Sequence, residues 1–252
     1  MAGRIDLNCD MGESFGAWKM GTDEAIMPFI TSVNIACGFH GGDPDTMRRT
    51  VESALRHGVA VGVHPGFPDL IGFGRRDMNV TPEEARNFVL YQVGALSAFV
   101  RAQGGRLSHV KPHGALYHRA ARDAQLASAI ALAVKEFDPS LIFIGLANSE
   151  LVHSGERIGL RVASEVFADR TYQSDGSLTS RRLPQAMVKD PREAAARVVR
   201  MVREGKVKTL DGQDYSVRAD TVCIHGDTPG ALEFAHTVRQ ELEEAGIEIG
   251  SL

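Results

Sequence analysis

Seven short apolar stretches, rich in β-branched and small residues, recur along the chain, and most are followed by a segment with helical periodicity. The stretches lie near residues 4–8, 32–37, 59–63, 107–111, 141–145, 160–164 and 220–224. Strands that alternate with helices of about 10–20 residues form parallel sheets through right-handed crossovers. Because no dinucleotide-binding glycine fingerprint is present, the pattern favours a barrel over an open doubly wound sheet. We predict one α/β domain over residues 1–252, a distorted (β/α) barrel of seven or eight units.

Proline in the first turn, directly after an N-capping residue, marks the start of four predicted helices. One of these helices ends at Gly58, and another carries a capping box formed by Thr81 and Glu84. The four starts are Asp43-Pro44, Thr81-Pro82, Asp190-Pro191 and Thr228-Pro229.

Composition narrows the class of protein. The formal net charge of −4 gives no reason to expect nucleic acid or an anionic membrane surface as a partner. No run of eighteen apolar residues is present, and the amino end lacks the apolar stretch of a signal peptide. Cys9, Cys37 and Cys223 lie within apolar runs, which is typical of buried, reduced thiols. We therefore expect a cytoplasmic protein.

Potential acids, bases and ligands follow every predicted strand. In a (β/α) barrel the active site lies at the carboxyl ends of the strands. In strand order, the candidates are Asp10 and Glu13; His40 and Asp43; His64; Lys111 and His113; Asn148; Glu165 and Asp169; and His225 and Asp227. We expect most of these side chains to converge on one cleft.

Four of the nine histidines lie in turns rich in glycine and proline: "GFHGGDP", "GVHPGFPD", "KPHGALY" and "IHGDTPG". Glycine lets a backbone or a substrate approach closely because no Cβ intervenes. A single histidine after a strand is often an ordinary hydrogen-bonded turn residue, but four in equivalent positions favour a functional role. For Asp43 and Asp227, helix capping is an equally simple explanation. Lys111 ends an apolar strand, where a cation is costly unless it meets an anion.

Two further segments are distinctive. Residues 167–185 form a long polar segment after the sixth strand, and Arg170, Arg181 and Arg182 within it could bind a carboxylate or phosphate. A solvated loop with scattered charges explains them equally well. Residues 206–219 carry an Asp-Gly turn and read as a hairpin on the face opposite the site.

Five sequence blocks resemble the LamB/YcsF family, to which the A subunit of prokaryotic 5-oxoprolinase belongs. They are "DLNCDMGESFG", "SVNIACGFHGGDP", "VGVHPGFPDLIGFGRR", "HVKPHGALY" and "EVFADRTYQSDGSLTSR". The resemblance runs from residue 5 to about residue 245 and implies a distorted barrel akin to those of glycoside hydrolases and polysaccharide deacetylases. It also implies ATP-dependent hydrolysis of 5-oxo-L-proline, a cyclic amide, to L-glutamate together with partner subunits B and C.

We assign catalytic and substrate-binding roles from the positions of the residues in the predicted barrel. We expect Asp10, His40 and His64 to form the catalytic core, with His113 as an alternative base. Lys111 and Arg170 would neutralise carboxylate or phosphoryl charge. Substrate binding would involve Asn34, Glu165, Arg170, His225 and Asp227. Because the chain lacks a phosphate-cradling Gly-Lys loop, a partner subunit would bind the ATP.

Two other classes of function stay open. A stand-alone metal-dependent hydrolase or deacetylase could use Asp10, His40 and His64 as ligands of a divalent metal ion, with a fourth position open for water. The chain could also be a non-catalytic binding or regulatory subunit.

Overall fold

A computed structural model describes residues 3–225 and 230–252, without the side chain of His225. Its strands are β1 (Arg4–Met11), β2 (Ser32–Ala36), β3 (Ala60–His64), β4 (Leu107–Val110), β5 (Ile142–Leu146), β6 (Arg161–Phe167), β7 (Lys206–Lys208), β8 (Asp214–Ser216), β9 (Thr221–His225) and β10 (Glu248–Ile249). β1 to β6 and β9 pair in parallel in that order, and β9 also pairs with β1. The predicted barrel is confirmed as a closed parallel barrel of seven strands.

Helices cover the outside of the barrel. They are α1 (Asp23–Ile26), α2 (Pro44–His57), α3 (Pro82–Ala102), α4 (Gly114–Ala120), α5 (Ala124–Phe137), α6 (Glu150–Arg157), α7 (Pro191–Glu204) and α8 (Ala231–Glu244), with short 3₁₀ turns at Met27–Phe29 and Pro184–Ala186. None of the helices in the described part of the chain has the length and apolar character needed to cross a bilayer.

Side-chain caps begin three of the helices where the sequence predicts them. Asp43 accepts a hydrogen bond from Thr46 N at 2.9 Å, so capping does account for this aspartate. Thr81 and Glu84 form the predicted capping box, and Asp190 caps α7. The fourth predicted start, at Thr228-Pro229, lies outside the described residues.

Residues of β1 alternate between two environments. Ile5, Leu7 and Cys9 are fully buried members of the apolar core that the strands share with the helices. Asp6 and Asn8 are also buried, but their side chains bond to residues on neighbouring barrel strands, such as Ser32 and Thr221. The period of two therefore sends one set of side chains to the helices and the other into the barrel. At β1, the barrel interior is therefore polar.

Four strands end later than predicted. β1 ends at Met11, β3 at His64, β6 at Phe167 and β9 at His225, so Asp10, His64, Glu165 and His225 lie within strands and not after them. For β1, β3 and β6, the barrel interior accommodates the polar side chains, which a search for apolar runs cannot detect.

The predicted hairpin is present as β7 and β8, with its turn at Asp211-Gly212. Its predicted location on the opposite face is wrong. The turn contacts the segment after β6, since Leu210 N donates to Tyr172 O at 2.9 Å. The hairpin therefore supports the segment 167–185, whose other residues border the site described next.

Candidate active site

A cleft of about 780 Å³ opens at the carboxyl ends of the barrel strands. Its floor includes Asp10, Glu13, His64, Lys111 and His113, which come from β1, β3 and the turns after β1 and β4. Its walls carry six arginines, namely Arg75, Arg119, Arg122, Arg170, Arg181 and Arg182. The cleft thus combines an acid–base floor with cationic walls.

Lys111 connects two carboxylates beneath the cleft. Its Nζ lies 2.8 Å from Asp10 Oδ1 and 2.9 Å from Glu165 Oε1, and the side chains of Lys111 and Glu165 are almost completely buried. Burial by itself lowers the pKa of Lys111, but Asp10, Cys223 and Glu165 outweigh it, so the pKa lies above its ordinary value. Lys111 is therefore a fixed positive charge, and it meets the anions that its burial requires.

A buried hydrogen-bond network fixes these carboxylates. Asn34 Nδ2 donates to Asp10 Oδ1 at 2.8 Å, and His109 Nε2 donates to Asn34 Oδ1 at 2.8 Å. On the other side, Tyr117 OH donates to Glu165 Oε2 at 2.7 Å. Burial, followed by the charge of Lys111, lowers the pKa of His109 to about 3, so its ring is neutral at neutral pH. The network holds Asp10 in one orientation.

His64 and His113 meet through their inward ring nitrogens. His64 Nε2 lies 2.9 Å from His113 Nδ1 and 3.2 Å from Asp10 Oδ2. The outer nitrogens face backbone carbonyls: His64 Nδ1 lies 2.8 Å from Lys111 O, and His113 Nε2 lies 2.9 Å from Phe73 O. Since a carbonyl only accepts, each outer nitrogen carries a hydrogen.

His40 lies behind this pair, fully buried. Its ring stacks on that of His113, with centroids 3.7 Å apart and planes 3° from parallel. Its Nε2 lies 3.3 Å from Glu13 Oε1, yet neither ring nitrogen has a hydrogen-bond partner among the described residues. Gly74, at φ +61°, permits this packing, because a Cβ there would lie 2.7 Å from His40 Cβ and 2.8 Å from His113 Cδ2. Burial and the neighbouring imidazoles lower the pKa of His40 and of His113 below the ordinary value.

These side chains form one candidate metal-ligand cluster: Glu13, His40, His64 and His113 each offer a ligand atom, and the four atoms lie within 4.8 Å of one another. The predicted ligand set of Asp10, His40 and His64 shares His40 and His64 with this cluster. Asp10 is outside the cluster but adjacent to it: its Oδ1 binds Lys111 and Asn34, and its Oδ2 lies 3.2 Å from His64 Nε2.

Arg170 is the most buried arginine of the cleft wall, with 2% of its surface exposed. Its Nη2 donates to Thr179 O at 2.5 Å, while its Nε has no hydrogen-bond partner within the described part of the chain. Burial, followed by the charge of Arg181, lowers the pKa of Arg170 to about 10. The predicted segment 167–185 thus does border the cleft, through Arg170, Thr179, Ser180, Arg181 and Arg182.

The predicted site residues fall into four groups. Asp10, His64, Lys111, His113 and Arg170 line the cleft. His40, Asn34 and Glu165 are buried behind or beneath it and do not line it. His225 is paired with Asp10 in the sheet register, but its side chain is not described. Asp227 lies outside the described residues.

Several residues of the site were given no role in the assignment made from the sequence. Glu13 follows the first predicted strand, so its position was a usable signal for the histidine cluster. Asn8, His109 and Tyr117 carry no such signal, because polar residues inside a strand or helix pattern do not reveal which partners they meet. The arginines Arg75, Arg119 and Arg122 come from loops and helix ends, and only tertiary structure brings them to one cleft.

Sequence comparison identifies similar proteins over nearly the full chain. The family profile described as "LamB/YcsF family" matches residues 5–252. A protein of Bacillus licheniformis that is named as the A subunit of 5-oxoprolinase is 60% identical, over 98% of this chain and 97% of the relative. The protein of the same name from Bordetella pertussis is 61% identical, over 97% of each chain.

Solved structures agree with the fold. The chain is similar to the lactam utilization protein from Thermus thermophilus, with a TM-score of 0.94, 53% identity, and coverage of 99% of this chain and 100% of that one. A family 4 carbohydrate esterase from Streptomyces lividans shares the fold more distantly, with a TM-score of 0.50 and 12% identity over 99% of this chain and 92% of that one.

Proposed function

The chain belongs to the LamB/YcsF family, and from this premise we propose that it is the A subunit of an ATP-dependent 5-oxoprolinase. The observation that carries the proposal is the identity of 60–61% to proteins that bear this name, over 97% or more of both chains. The reaction is hydrolysis of the ring C–N bond of 5-oxo-L-proline to give L-glutamate.

The floor of the cleft contains the groups that this reaction needs. A lactam is an unreactive amide, so one group must take a proton from the attacking water and another must protonate the departing ring nitrogen. Asp10, His64 and His113 all reach the cleft, and His64 contacts each of the other two. We assign the proton transfers to these three residues.

Lys111 and its neighbours preorganise that floor. Lys111 stays protonated between Asp10 and Glu165 and supplies a fixed positive charge close to the reacting amide. Asn34 and Glu165, placed beneath the floor, orient Asp10 and Lys111 and do not touch the substrate directly. His40 supports the ring of His113 by stacking.

The arginines favour an anionic ligand. 5-Oxo-L-proline carries a carboxylate, and an amide activated by ATP carries a phosphoryl group, both of which guanidinium groups bind well. Arg170 is the strongest candidate because it is buried beside a second cation, Arg181, and retains an Nε without a partner among the described residues. His225 and Asp227 stay in the proposed substrate-binding set.

ATP consumption requires partners in this proposal. The sequence has no Gly-Lys phosphate loop, so subunits B and C would bind ATP and activate the lactam, and this chain would open the ring. The name of the relatives, which designates one subunit of an enzyme, supports a multi-subunit assembly. Three buried free thiols agree with the cytoplasm as its compartment.

The test is glutamate release from 5-oxo-L-proline and ATP by the purified chain, with and without the two partner subunits. We expect no appreciable turnover by the chain alone and turnover in the complete mixture. Asp10→Asn should lower the turnover by about 10²-fold or more, whereas Asp45→Asn, a change on the exposed surface of α2, should not. A complete mixture that forms no glutamate contradicts the proposal.

One alternative is favoured by a specific observation. The cluster of Glu13, His40, His64 and His113 would suit a stand-alone metal-dependent hydrolase of small amides. Robust turnover by the single chain without ATP would establish that alternative.

A further inference from the structure

Exposed apolar side chains border one side of the mouth of the cleft. They lie in the segments that follow β1, β2 and β3 and on α3, and we call them the apolar rim: Phe15, Trp18, Phe39, Ile71 and Tyr91. Trp18, Ile71 and Tyr91 are 69%, 92% and 64% exposed, and the two phenylalanines are half-buried. The ring of Phe39 stacks on that of Tyr91, with centroids 5.3 Å apart. Large apolar side chains that are exposed together mark an interaction site.

The segments that carry the apolar rim contact one another. Gly16 N donates to Asp43 Oδ2 at 2.8 Å, which joins the segment after β1 to the segment after β2. The ring of His40, after β2, lies 5.7 Å from the ring of Phe73, after β3. The apolar rim therefore lies on adjoining segments at the strand ends that open to the cleft.

Trp18 is held in a fixed turn. The backbones of Phe15 and Trp18 bond to each other in both directions, at 3.0 and 2.9 Å, and their rings stack with centroids 6.2 Å apart. Gly16, between them, has the φ of +56° that favours glycine. An aromatic side chain that is already fixed loses little conformational entropy when a partner covers it.

Ile71 is presented in a similar way. Its turn is closed by the buried carboxylate of Asp69, which accepts hydrogen bonds from Gly72 N and Arg76 Nε, both at 2.9 Å. The turn therefore holds an almost fully exposed isoleucine in place, and this position also needs little ordering when a partner binds.

The other side of the mouth is basic. Arg122 follows α4, and Arg181 and Arg182 lie in the segment 167–185; all three line the cleft and are exposed. The mouth thus has an apolar half, after β1 to β3, and a basic half, after β4 to β6. A protein that covers it must present apolar groups to one half and carboxylates to the other.

From this arrangement we propose that the apolar rim and the basic half of the mouth are the docking surface for the subunit that activates the lactam with ATP. The partner's surface presents apolar side chains flanked by acidic ones. Stable interfaces cover about 800 Å² of each partner, so the contact extends over both halves.

This inference rests on the proposed function, which assigns ATP to a partner and ring opening to this cleft. An activated lactam must then pass from one protein to the other. A partner seated on the mouth delivers it to Asp10 and His64 without release into water.

Trp18 is the single tryptophan of the chain, so it reports on docking directly. The chain is produced with fluorotryptophan, which gives one fluorine NMR resonance, and unlabelled subunits B and C are added. The difference in chemical shift between light and heavy water measures contact of the ring with solvent. We expect this difference in the free chain and its loss in the complex.

Variants test the same contact through affinity, measured by surface plasmon resonance. Trp18→Ser and Ile71→Ser should weaken assembly by at least about 30-fold, the loss typical of central interface residues. The matched control is Leu132→Ser on α5, which removes an apolar side chain that is 39% exposed and does not line the cleft. This control should assemble as the wild type does. Arg182→Ser should lower the association rate and its dependence on salt.

A second copy of the chain is the competing occupant of this surface. Sedimentation velocity of the chain alone distinguishes it, and we expect a monomer. A dimer that Trp18→Ser dissociates would overturn the proposal.

The remaining outcomes separate this proposal from the proposed function. A mixture that forms glutamate while Trp18 stays in contact with solvent would overturn the docking surface and leave the proposed function intact. Loss of solvent contact at Trp18 without glutamate formation contradicts only the proposed function. A chain that neither assembles nor forms glutamate contradicts both.

Discussion

Lys111 Nζ donates to Asp10 Oδ1 at 2.8 Å inside the barrel. The two residues lie 101 positions apart in the sequence and belong to strand β1 and to the turn after β4. The same ammonium also meets Glu165, so two carboxylates share one buried cation. This arrangement makes the floor of the cleft sensitive to any change in its charge.

Replacing the cation should destabilise the fold strongly. Lys111→Met leaves Glu165 buried without its counter-charge, and we expect a loss of about 3–5 kcal/mol in the free energy of unfolding. Urea denaturation followed by circular dichroism measures it. Adding Glu165→Gln to Lys111→Met should recover at least about 1 kcal/mol, because the unpaired charge is removed. A double variant no more stable than the single one would show that charge is not the cause.

Arg170 should be needed to bind the anionic ligand. Arg170→Ala removes charge-assisted hydrogen bonds worth about 1.5–3 kcal/mol, so KM for 5-oxo-L-proline in the complete mixture should rise by about tenfold or more, or kcat should fall comparably. Arg161→Ala, at the exposed start of β6, is the matched control and should behave as the wild type. Arg170→Lys should recover part of the loss. Unchanged kinetics in Arg170→Ala would show that Arg170 does not bind the substrate.

His109 should make the fold sensitive to acid. Its pKa is about 3 in the folded chain, and the ordinary value is 6.5, so between these values the unfolded chain binds a proton that the folded chain does not. Stability contributed by the neutral ring is therefore present above pH 6.5 and is lost as the pH falls, by up to about 1.4 kcal/mol per pH unit. In His109→Gln this contribution is absent. Urea denaturation of both proteins from about pH 7 to about pH 4 should show the wild type losing stability more steeply, and parallel curves would refute the assignment.

Gly62 should be irreplaceable because His109 occupies the space above it. A Cβ at Gly62 would overlap the imidazole of His109, which is fully buried and cannot move aside. We expect Gly62→Ala to cost about 2 kcal/mol or more in the free energy of unfolding.

Gly94 provides the comparison for that substitution. It lies inside α3, and a Cβ at this position would meet no atom within 4 Å, so Gly94→Ala should stabilise the protein by about 0.5–1 kcal/mol. Thermal unfolding of both variants measures the contrast. A Gly62→Ala protein as stable as Gly94→Ala would contradict the packing described for His109.

The sequence alone determined the barrel fold and the end of the barrel at which the site lies. Apolar stretches set the strands, and capping residues with first-turn prolines set the starts of α2, α3 and α7. These signals are local, because strand pleat and helix caps depend on residues a few positions apart. Since carboxyl ends of parallel strands meet at one face, the approximate positions of Asp10, His64, Lys111 and His113 at a common cleft also follow from the pattern.

Only the tertiary structure decided which of these residues touch. Asp10 binds Lys111 from across the barrel through Oδ1 and faces His64 through Oδ2. Glu13 Oε1 faces the other two histidines, His40 and His113. Likewise, the place of Asn34 and Glu165 beneath the floor follows from partners on other strands, His109 and Lys111. Contacts between distant strands depend on how the barrel closes and on which side chains compete for one buried charge. The spacing of residues along the sequence therefore does not predict these contacts.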